Sequence, residues 1–508
     1  MSEADEVQIM RNDSDAKVDR LLMETTTRSL LKQLSTGQIT SEAIVTFYLD
    51  RIESIDKSGP RLSSIIATNP AAMAEARQRD RERREGVAEG SLHGIPVLLK
   101  DNIETVGPVA TTAGALALKY NVRTEDAILV KQLRANGAII LGKTNLSEWA
   151  NFKSLKSSSG YSEIGGQTKN PYYLDRSPCG SSSGSAAAIS ANLAPLAVGT
   201  ETDGSIVAPA AHCGIVGLKP TVGLVSSAGI VPISHSQDSA GPMARRVEDV
   251  AMLLNAMVNP IHPNAIEDYA AQLNTASLNG KRFGITESTE RFPEVVREVF
   301  EQAVGALEAA GAEVVRGLEL PEEEALGEAE FEVLLYDFKH DLTDYLSSTP
   351  DSVTVKSIDD LVEFNRANPS AISPFGQELI EMAASKGELT DEAYLVSKKL
   401  IEKHGKQEGI DHLLAEYQLD AFIAPTNTPS WLINHVEGDK FEGGSSSPAA
   451  ITGYPIITVP MGDVSGLPVG LSFFSTAFRE KDLIELAYCF EREINARILP
   501  EFRAVFSE

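Results

Sequence analysis

The sequence predicts an α/β protein, with helices layered on a sheet, and three observations carry that expectation. Short apolar runs of strand type alternate with amphipathic stretches of helical period along most of the chain. The strands are short, and no internal repeat interrupts the alternation. The 508 residues are 42% hydrophobic and 6% aromatic, the composition of a soluble globular protein able to bury a large core. A chain of this length holds two to four domains or one large single-sheet unit.

Taken in order, residues 1–24 are acidic and polar and read as a mobile tail, leaving 25–508 for the folded domain. The tail has neither the basic segment nor the apolar segment of a secretory signal, so a cytoplasmic location is expected. Helices are expected over 27–34 and 40–55, the second opened by Thr40 or Ser41 as cap with Glu42 in its first turn. A strand fits 62–67 and a charged surface helix 70–84. A buried strand over 95–99 ends at Lys100-Asp101-Asn102. An amphipathic helix over 127–136, stopped by Gly137, precedes a strand over 138–141. An alanine-rich helix over 185–193 and an apolar strand over 196–199 follow.

Residues 214–219 and 223–232 read as short strands and turns, 247–258 as a buried helix and 281–286 as a strand. The stretch 293–310 has one apolar face and ends at Gly311, so it covers the sheet. Helices over 322–347, 358–365, 375–386 and 391–417 come next, then strands over 420–424, 455–460 and 467–474. The loop 426–447 carries Trp431 and a Gly443-Gly444-Ser445 hinge.

Lys and Arg total 45 against 72 Asp and Glu, a formal charge of −27, which argues against nucleic acid or an anionic membrane as partner. Cys179, Cys213 and Cys489 are too few and too scattered for a disulfide framework or a zinc site, as a reducing compartment allows.

The chemistry is concentrated in residues 179–211, CGSSSGSAAAISANLAPLAVGTETDGSIVAPAA. Glycines beside serines let backbone approach a reacting atom, and the hydroxyls and N–H groups supply nucleophile and donors. A Gly/Ser run is commonly a flexible linker, but this one is flanked by a predicted helix and strand. Its serines, asparagine and Pro195 make it too polar for a membrane span. Two literal motif matches fail on context. Gly137 to Thr144 fits the phosphate-loop pattern, yet its interior is strand-forming and Gly137 stops a helix. Gly180 to Gly184 fits the nucleophile elbow with Ser182 as nucleophile, but the preceding Leu174-Asp-Arg-Ser-Pro178 is polar rather than a buried strand. The eight histidines, His93, His212 and His235 among them, show no metal-ligand spacing and read as surface or hydrogen-bonded side chains.

A serine paired with lysine suits the residues better. Ser205 follows a buried strand, sits on a turn at Gly204 and precedes a short helix, so its hydroxyl is presented at a strand end. The N–H groups of Thr202, Asp203, Gly204 and Ser205 converge there on a developing oxyanion. Lys100, closing a buried strand, is placed where burial lowers its pKa and leaves it a base.

On these residues the chain resembles the amidase signature family, whose hallmark is a GGSS(G/S)GS run, a small-residue helix and a (T/D)xxGSI turn. Further matches lie at Thr40-Ser-Glu, His93 to Asn102, Gly142-Lys-Thr-Asn145, Ser147-Glu-Trp149, Gly166-Gln-Thr168, Gly214 to Pro220, Ala424-Pro-Thr426, Gly453 to Pro460 and Gly466 to Gly470. The resemblance implies one large α/β domain with a mixed sheet between helices. It implies a catalytic lysine at Lys100, a bridging serine with a cis peptide bond at Ser181 and an acyl-forming serine at Ser205, with no metal or organic cofactor. Cys179 departs from the pattern, which has glycine there and so puts the local turn in question. The segments Glu201 to Val207, Lys219 to Val225 and Ser430 to Asn434 are similar to bacterial peptide amidases, which remove the C-terminal amide of peptides. The expected partner is a peptide or small-molecule amide, with the chain a monomer or homodimer. The glutaminase component of a tRNA-dependent amidotransferase and an amidase for small aliphatic or aryl amides are the alternatives.

Overall fold

A computed structural model describes residues 21–506 of the chain. The expected tail over 1–24 therefore lies outside the described residues except for its last four. Of these, Leu22 is buried in the main core and Glu24 pairs with Arg497 at 3.0 Å, so packing reaches back before residue 25.

Strands form where the apolar runs stand. They are β1 (Ile65–Thr68), β2 (Pro96–Lys100), β3 (Ile139–Thr144), β4 (Tyr161–Ser162), β5 (Gly166–Gln167), β6 (Leu196–Glu201) and β7 (Val216–Lys219). Beyond these come β8 (Ser239–Ala244), β9 (Arg282–Thr286), β10 (Glu313–Leu318), β11 (Ala421–Pro425), β12 (Ile456–Val464) and β13 (Leu467–Phe474). β4 and β5 make a small ribbon, and the other eleven form one sheet in the order β1-β3-β2-β6-β8-β7-β12-β13-β11-β9-β10. The sheet is mixed: β3, β2 and β6 run parallel, β6 through β11 pair antiparallel, and β11, β9 and β10 are again parallel. The chain is thus a single α/β domain, a large mixed sheet flanked by helices. Every residue of β2, β3 and β6 is buried, which explains why these strands are continuous apolar runs rather than alternating ones.

Helices Val247–Met257, Glu294–Ala309 and Glu480–Ile494 pack on the sheet and complete the main core. A second apolar cluster, with Phe338, Leu342, Ile358 and Ile380, joins the helices Glu323–Ser347, Ile358–Ala367 and Glu378–Ala384 to Trp149 and Phe152. No helix among the described residues is long and apolar enough to cross a membrane.

Where the structure departs from the sequence reading, the causes are local. β8 was not anticipated because Gly241 and Pro242 disguise a central strand; an added Cβ at Gly241 would stand 2.0 Å from the Leu218 carbonyl oxygen of β7. β10 was missed as a half-exposed edge strand. The helices Ser447–Thr452 and Glu480–Ile494 were also not anticipated, the second despite buried Leu483, Ile484, Ala487 and Phe490 at helical spacing. The strand expected over 62–67 begins only at Ile65, since Arg61 and Ser63 take φ of 54° and 55°. The helix expected over 391–417 is broken into Glu392–Leu400, a wider-turned segment Ile401–Ile410 distorted at Gly409, and Asp411–Glu416. Thr40 does cap its helix, accepting from the Ala43 N–H. Gly142, Lys143 and Thr144 lie inside β3, with the Lys143 ammonium buried beside Asp101 at 3.4 Å, so no phosphate loop exists there.

The small-residue helix Ser183–Ser190 is buried along its whole length against β2, β3 and β6. Its approach is so close that a Cβ at Gly184 would meet the Ser64 carbonyl oxygen at 2.2 Å and that of Asn145 at 2.5 Å. Because backbone cannot step aside, Gly184→Ala is expected to cost about 1–3 kcal/mol, read as a lower thermal unfolding midpoint.

Candidate active site

Parallel pairing of β2 with β6 sets Leu98 opposite Ala197 and Leu99 opposite Val198, which brings Lys100, one residue beyond Leu99, close to Thr200, two residues beyond Val198. Lys100 is fully buried. Its Nζ donates to Ser181 Oγ at 2.7 Å, to Thr200 Oγ1 at 2.8 Å and to the Thr200 carbonyl at 3.0 Å. Asn102 Nδ2 donates to the same Thr200 hydroxyl at 2.9 Å and so fixes its rotamer. Burial pushes the Lys100 ammonium down to about 7, against the opposing pull of Asp238 and Glu201.

Ser181 lies on the turn that leads into the small-residue helix, and the Gly180–Ser181 peptide bond is cis. Cys179 sits at φ 61°, the left-handed region that favours glycine, which accounts for the glycine expected there. The cysteine is held by its carbonyl, which accepts from Ser183 Oγ at 2.6 Å, and by its N–H, which donates to Ser177 Oγ at 3.1 Å. A side chain at Gly180 would collide with Ser147 Oγ at 2.3 Å, so this position leaves no room for one.

Ser205 follows Gly204, at φ 76°, and precedes the short helix Val207–His212. The Ser182 N–H donates to the Ser205 carbonyl at 3.1 Å, which locks the two serine turns together. Lys100 and Ser181 have no exposure, whereas Ser205 keeps 8%. The structure closes the Lys100–Ser181 contact; among the described residues the Ser205 hydroxyl makes no hydrogen bond, to Ser181 or to any other group.

The turn is braced by a residue the sequence reading did not single out. Glu201 Oε2 reaches across it and accepts from the N–H groups of Ile206 at 2.7 Å and Val207 at 2.9 Å. Burial raises its carboxyl pKa, and the buried Lys219, itself pushed down to about 8, opposes that rise. The N–H groups of Thr202, Asp203, Gly204 and Ser205 donate to no acceptor among the described residues. The Thr202 side chain turns away and donates to Asp238 at 2.6 Å. Asp203 accepts from Ser446 Oγ at 2.5 Å and Ser447 Oγ at 2.7 Å, tying the 202–205 turn to the hinge expected at Gly443-Gly444-Ser445.

A cavity of about 340 Å³ opens over these turns, lined by Cys179, Gly180, Asp203, Gly204, Trp431 and Asp439 among others. Trp431, only 6% exposed, packs edge-on to His212 at 5.2 Å and donates Nε1–H to Asp439 at 2.9 Å, so it walls the cavity rather than the outer surface. A second cavity of about 280 Å³ shares Gly444 and Ser447 with the first; neither is lined by Lys100, Ser181 or Ser205, but the first reaches Gly180 and Gly204, next to the two serines. His212 is buried and held neutral, its pKa pushed down to about 4, with Nδ1 beside the Ala208 carbonyl at 2.8 Å. His93 is buried between two carbonyls, and His235 lies against Asp341 at the surface. Among the described residues no cluster of three His, Cys, Asp or Glu side chains is arranged to hold a metal ion.

Comparison with known proteins identifies the family. The family model described as Amidase matches residues 43–484. The crystal structure of native peptide amidase from Stenotrophomonas maltophilia superposes with a TM-score of 0.89 at 48% identity, over 94% of this chain and 99% of that one. A probable amidase of Arabidopsis thaliana is 38% identical over 95% of this chain and 92% of its own length. A component of the glutamyl-tRNA(Gln) amidotransferase of a Synechococcus strain is 31% identical over 92% of this chain and 91% of its own length.

Glu201→Ala strands two buried N–H donors, at roughly 1–3 kcal/mol for each. The expected result is faster amide hydrogen exchange at Ile206 and Val207 together with a lowered unfolding midpoint; unchanged exchange would rule out the bracing role.

Proposed function

The chain belongs to the amidase family and is an amide-hydrolysing enzyme, and from that premise we propose that it cleaves carboxamides through an acyl-enzyme on Ser205. Neutral Lys100 accepts a proton from Ser181, which accepts one from Ser205 as the Ser205 oxygen attacks the amide carbonyl. The tetrahedral oxyanion is stabilised by the N–H groups of Thr202–Ser205, which have no other acceptor among the described residues. Collapse breaks the C–N bond, and the proton returns through Ser181 to the departing ammonia or amine. Water then adds to the ester by the same relay in reverse, releasing acid and restoring the Ser205 hydroxyl.

The observation that carries this reading is the 2.7 Å contact of the fully buried Lys100 Nζ with Ser181 Oγ, with the ammonium pushed down to about 7. A lysine on the surface would stay protonated and could not serve as base. For Ser205 to complete the relay its side chain turns toward Ser181 when substrate fills the cavity. Catalytic hydrogen bonds are commonly looser before substrate binds.

The substrate we propose is a peptide bearing a C-terminal carboxamide, cleaved to the free acid and ammonia. Its support is the likeness to peptide amidase and a cavity of peptide-residue size walled by Trp431. The amidotransferase relative raises a glutaminase as the competing assignment. The cavity weighs against it. Its lining includes the carboxylates of Asp203 and Asp439 and no Lys, Arg or His to pair with the α-carboxylate of glutamine.

The enzyme is expected to release ammonia from an amidated dipeptide, measured by a coupled ammonia assay, with glutamine a poor substrate; turnover of simple aliphatic or aryl amides alone would sink the peptide assignment. Ser205→Ala is expected to abolish turnover and Lys100→Ala to lower kcat by about 10³-fold or more. Ser181→Ala loses most activity and retains a residue of it. The base must be uncharged, so kcat/KM should rise with pH through an apparent pKa of about 7 and level off above it. A profile that falls over that range would show that the protonated amine is the working form.

A further inference from the structure

We infer that Asp439 determines specificity by accepting an N–H from the acyl part of the substrate, either a protonated α-amine or a peptide backbone N–H. This rests on the peptide-amide reading and names what that reading leaves open, the group by which the cleft holds the peptide.

Asp439 lies on the loop between β11 and the helix Ser447–Thr452 and lines the same cavity as Gly180 and Gly204, the glycines adjoining Ser181 and Ser205. Its orientation is fixed by protein donors. Trp431 Nε1–H reaches Oδ1 at 2.9 Å, and the Ser159 N–H is shared between both oxygens at 3.0 Å. Two N–H groups do not fill a carboxylate, whose oxygens offer about four acceptor positions. The anion also makes no ion pair among the described residues. Asp203, the other carboxylate of the cavity, accepts from the Ser446 and Ser447 hydroxyls and has the buried Lys219 as a compensating cation, which Asp439 lacks among the described residues. Burial raises the Asp439 carboxyl above its ordinary range, opposed by the hydrogen bonds from Ser159 and Trp431. The cavity is mixed in character, with serines beside apolar surface. Leu155 and Phe441 line the cavity with 67% and 50% of their surface exposed, and Trp431 stands behind. Apolar surface holds a ligand by its side chain, and a placed polar group beside it orients the ligand. Here the polar group selects an N–H donor and repels a carboxylate, which also favours departure of the acid product.

The test compares wild type with Asp439→Asn, which keeps an acceptor for Trp431 and Ser159 but removes the charge. Three substrates are used: a dipeptide amide with a free α-amine, its N-acetyl form, and hexanamide, whose acyl part has no N–H. The expected result is a KM increase for the dipeptide amides at least ten-fold larger than for hexanamide, with kcat much less affected. An increase confined to the free-amine substrate identifies the ammonium as the donor, and one shared with the N-acetyl form identifies the backbone N–H. Equal losses on all three, or none, overturn the proposal, since a merely structural role would not discriminate. Should wild type turn over hexanamide but neither dipeptide amide, the peptide-amide reading fails. The proposal is then judged by calorimetric binding of the free-amine dipeptide amide to Ser205→Ala and to Ser205→Ala with Asp439→Asn. Binding at least ten-fold weaker in the double variant sustains it, and equal binding or no binding to either protein overturns it.

Discussion

One buried amine controls the rest of this structure. Lys100 Nζ has no exposure and three oxygen neighbours, Ser181 Oγ, Thr200 Oγ1 and the Thr200 carbonyl. A charge taken out of water to that depth is costly unless it is lost or paired, and no carboxylate lies within ion-pairing reach of Lys100 among the described residues. The outcome is a lysine whose proton is loosely held near neutral pH. That state depends on strand register. A slip of β2 against β6 by one residue would turn Lys100 to the opposite face of the sheet and lose the contact with Ser181.

The serine turns are held by backbone rather than by bulk. Cys179 and Gly204 take positive φ, the Ser182 N–H bonds the Ser205 carbonyl, and Glu201 collects the N–H groups of Ile206 and Val207 at the start of the helix that follows Ser205. With those two donors satisfied internally, the N–H groups of 202–205 remain without an acceptor among the described residues, as the proposed oxyanion role requires. The small-residue helix serves the same end, since only residues of the size of Gly184, Ser185 and Ala186 let it lie against β2, β3 and β6 at this distance.

The cleft itself is assembled from parts distant in the chain. Residues of the 179–180 and 203–204 turns form its floor, and Trp431, Asp439 and Phe441 of a loop more than two hundred residues away form its wall. The hinge after that loop is bonded to the floor through Ser446 and Ser447 on Asp203. Changes in the loop would therefore be felt at the nucleophile turn as well as in substrate fit.

The sequence by itself determined the α/β class and most elements along the chain, and it singled out the serine and lysine positions on which the proposed chemistry rests. These rest on local signals: apolar runs long enough to be buried strands, caps such as Thr40, and a glycine–serine composition that few other sites require. It did not reveal β8, because Gly241 and Pro242 are tolerated only where β6 and β7 close over them, nor the interruption of the 391–417 helix. Thr200, Glu201, Asp238 and Asp439 were likewise invisible as partners, for each acts through a contact set by strand register or by a loop folding back from far along the chain. Tertiary structure alone decided how deeply Lys100 is buried and what surrounds it. A pKa near 7 belongs to that environment of packed neighbours, and no residue carries it in its own covalent structure.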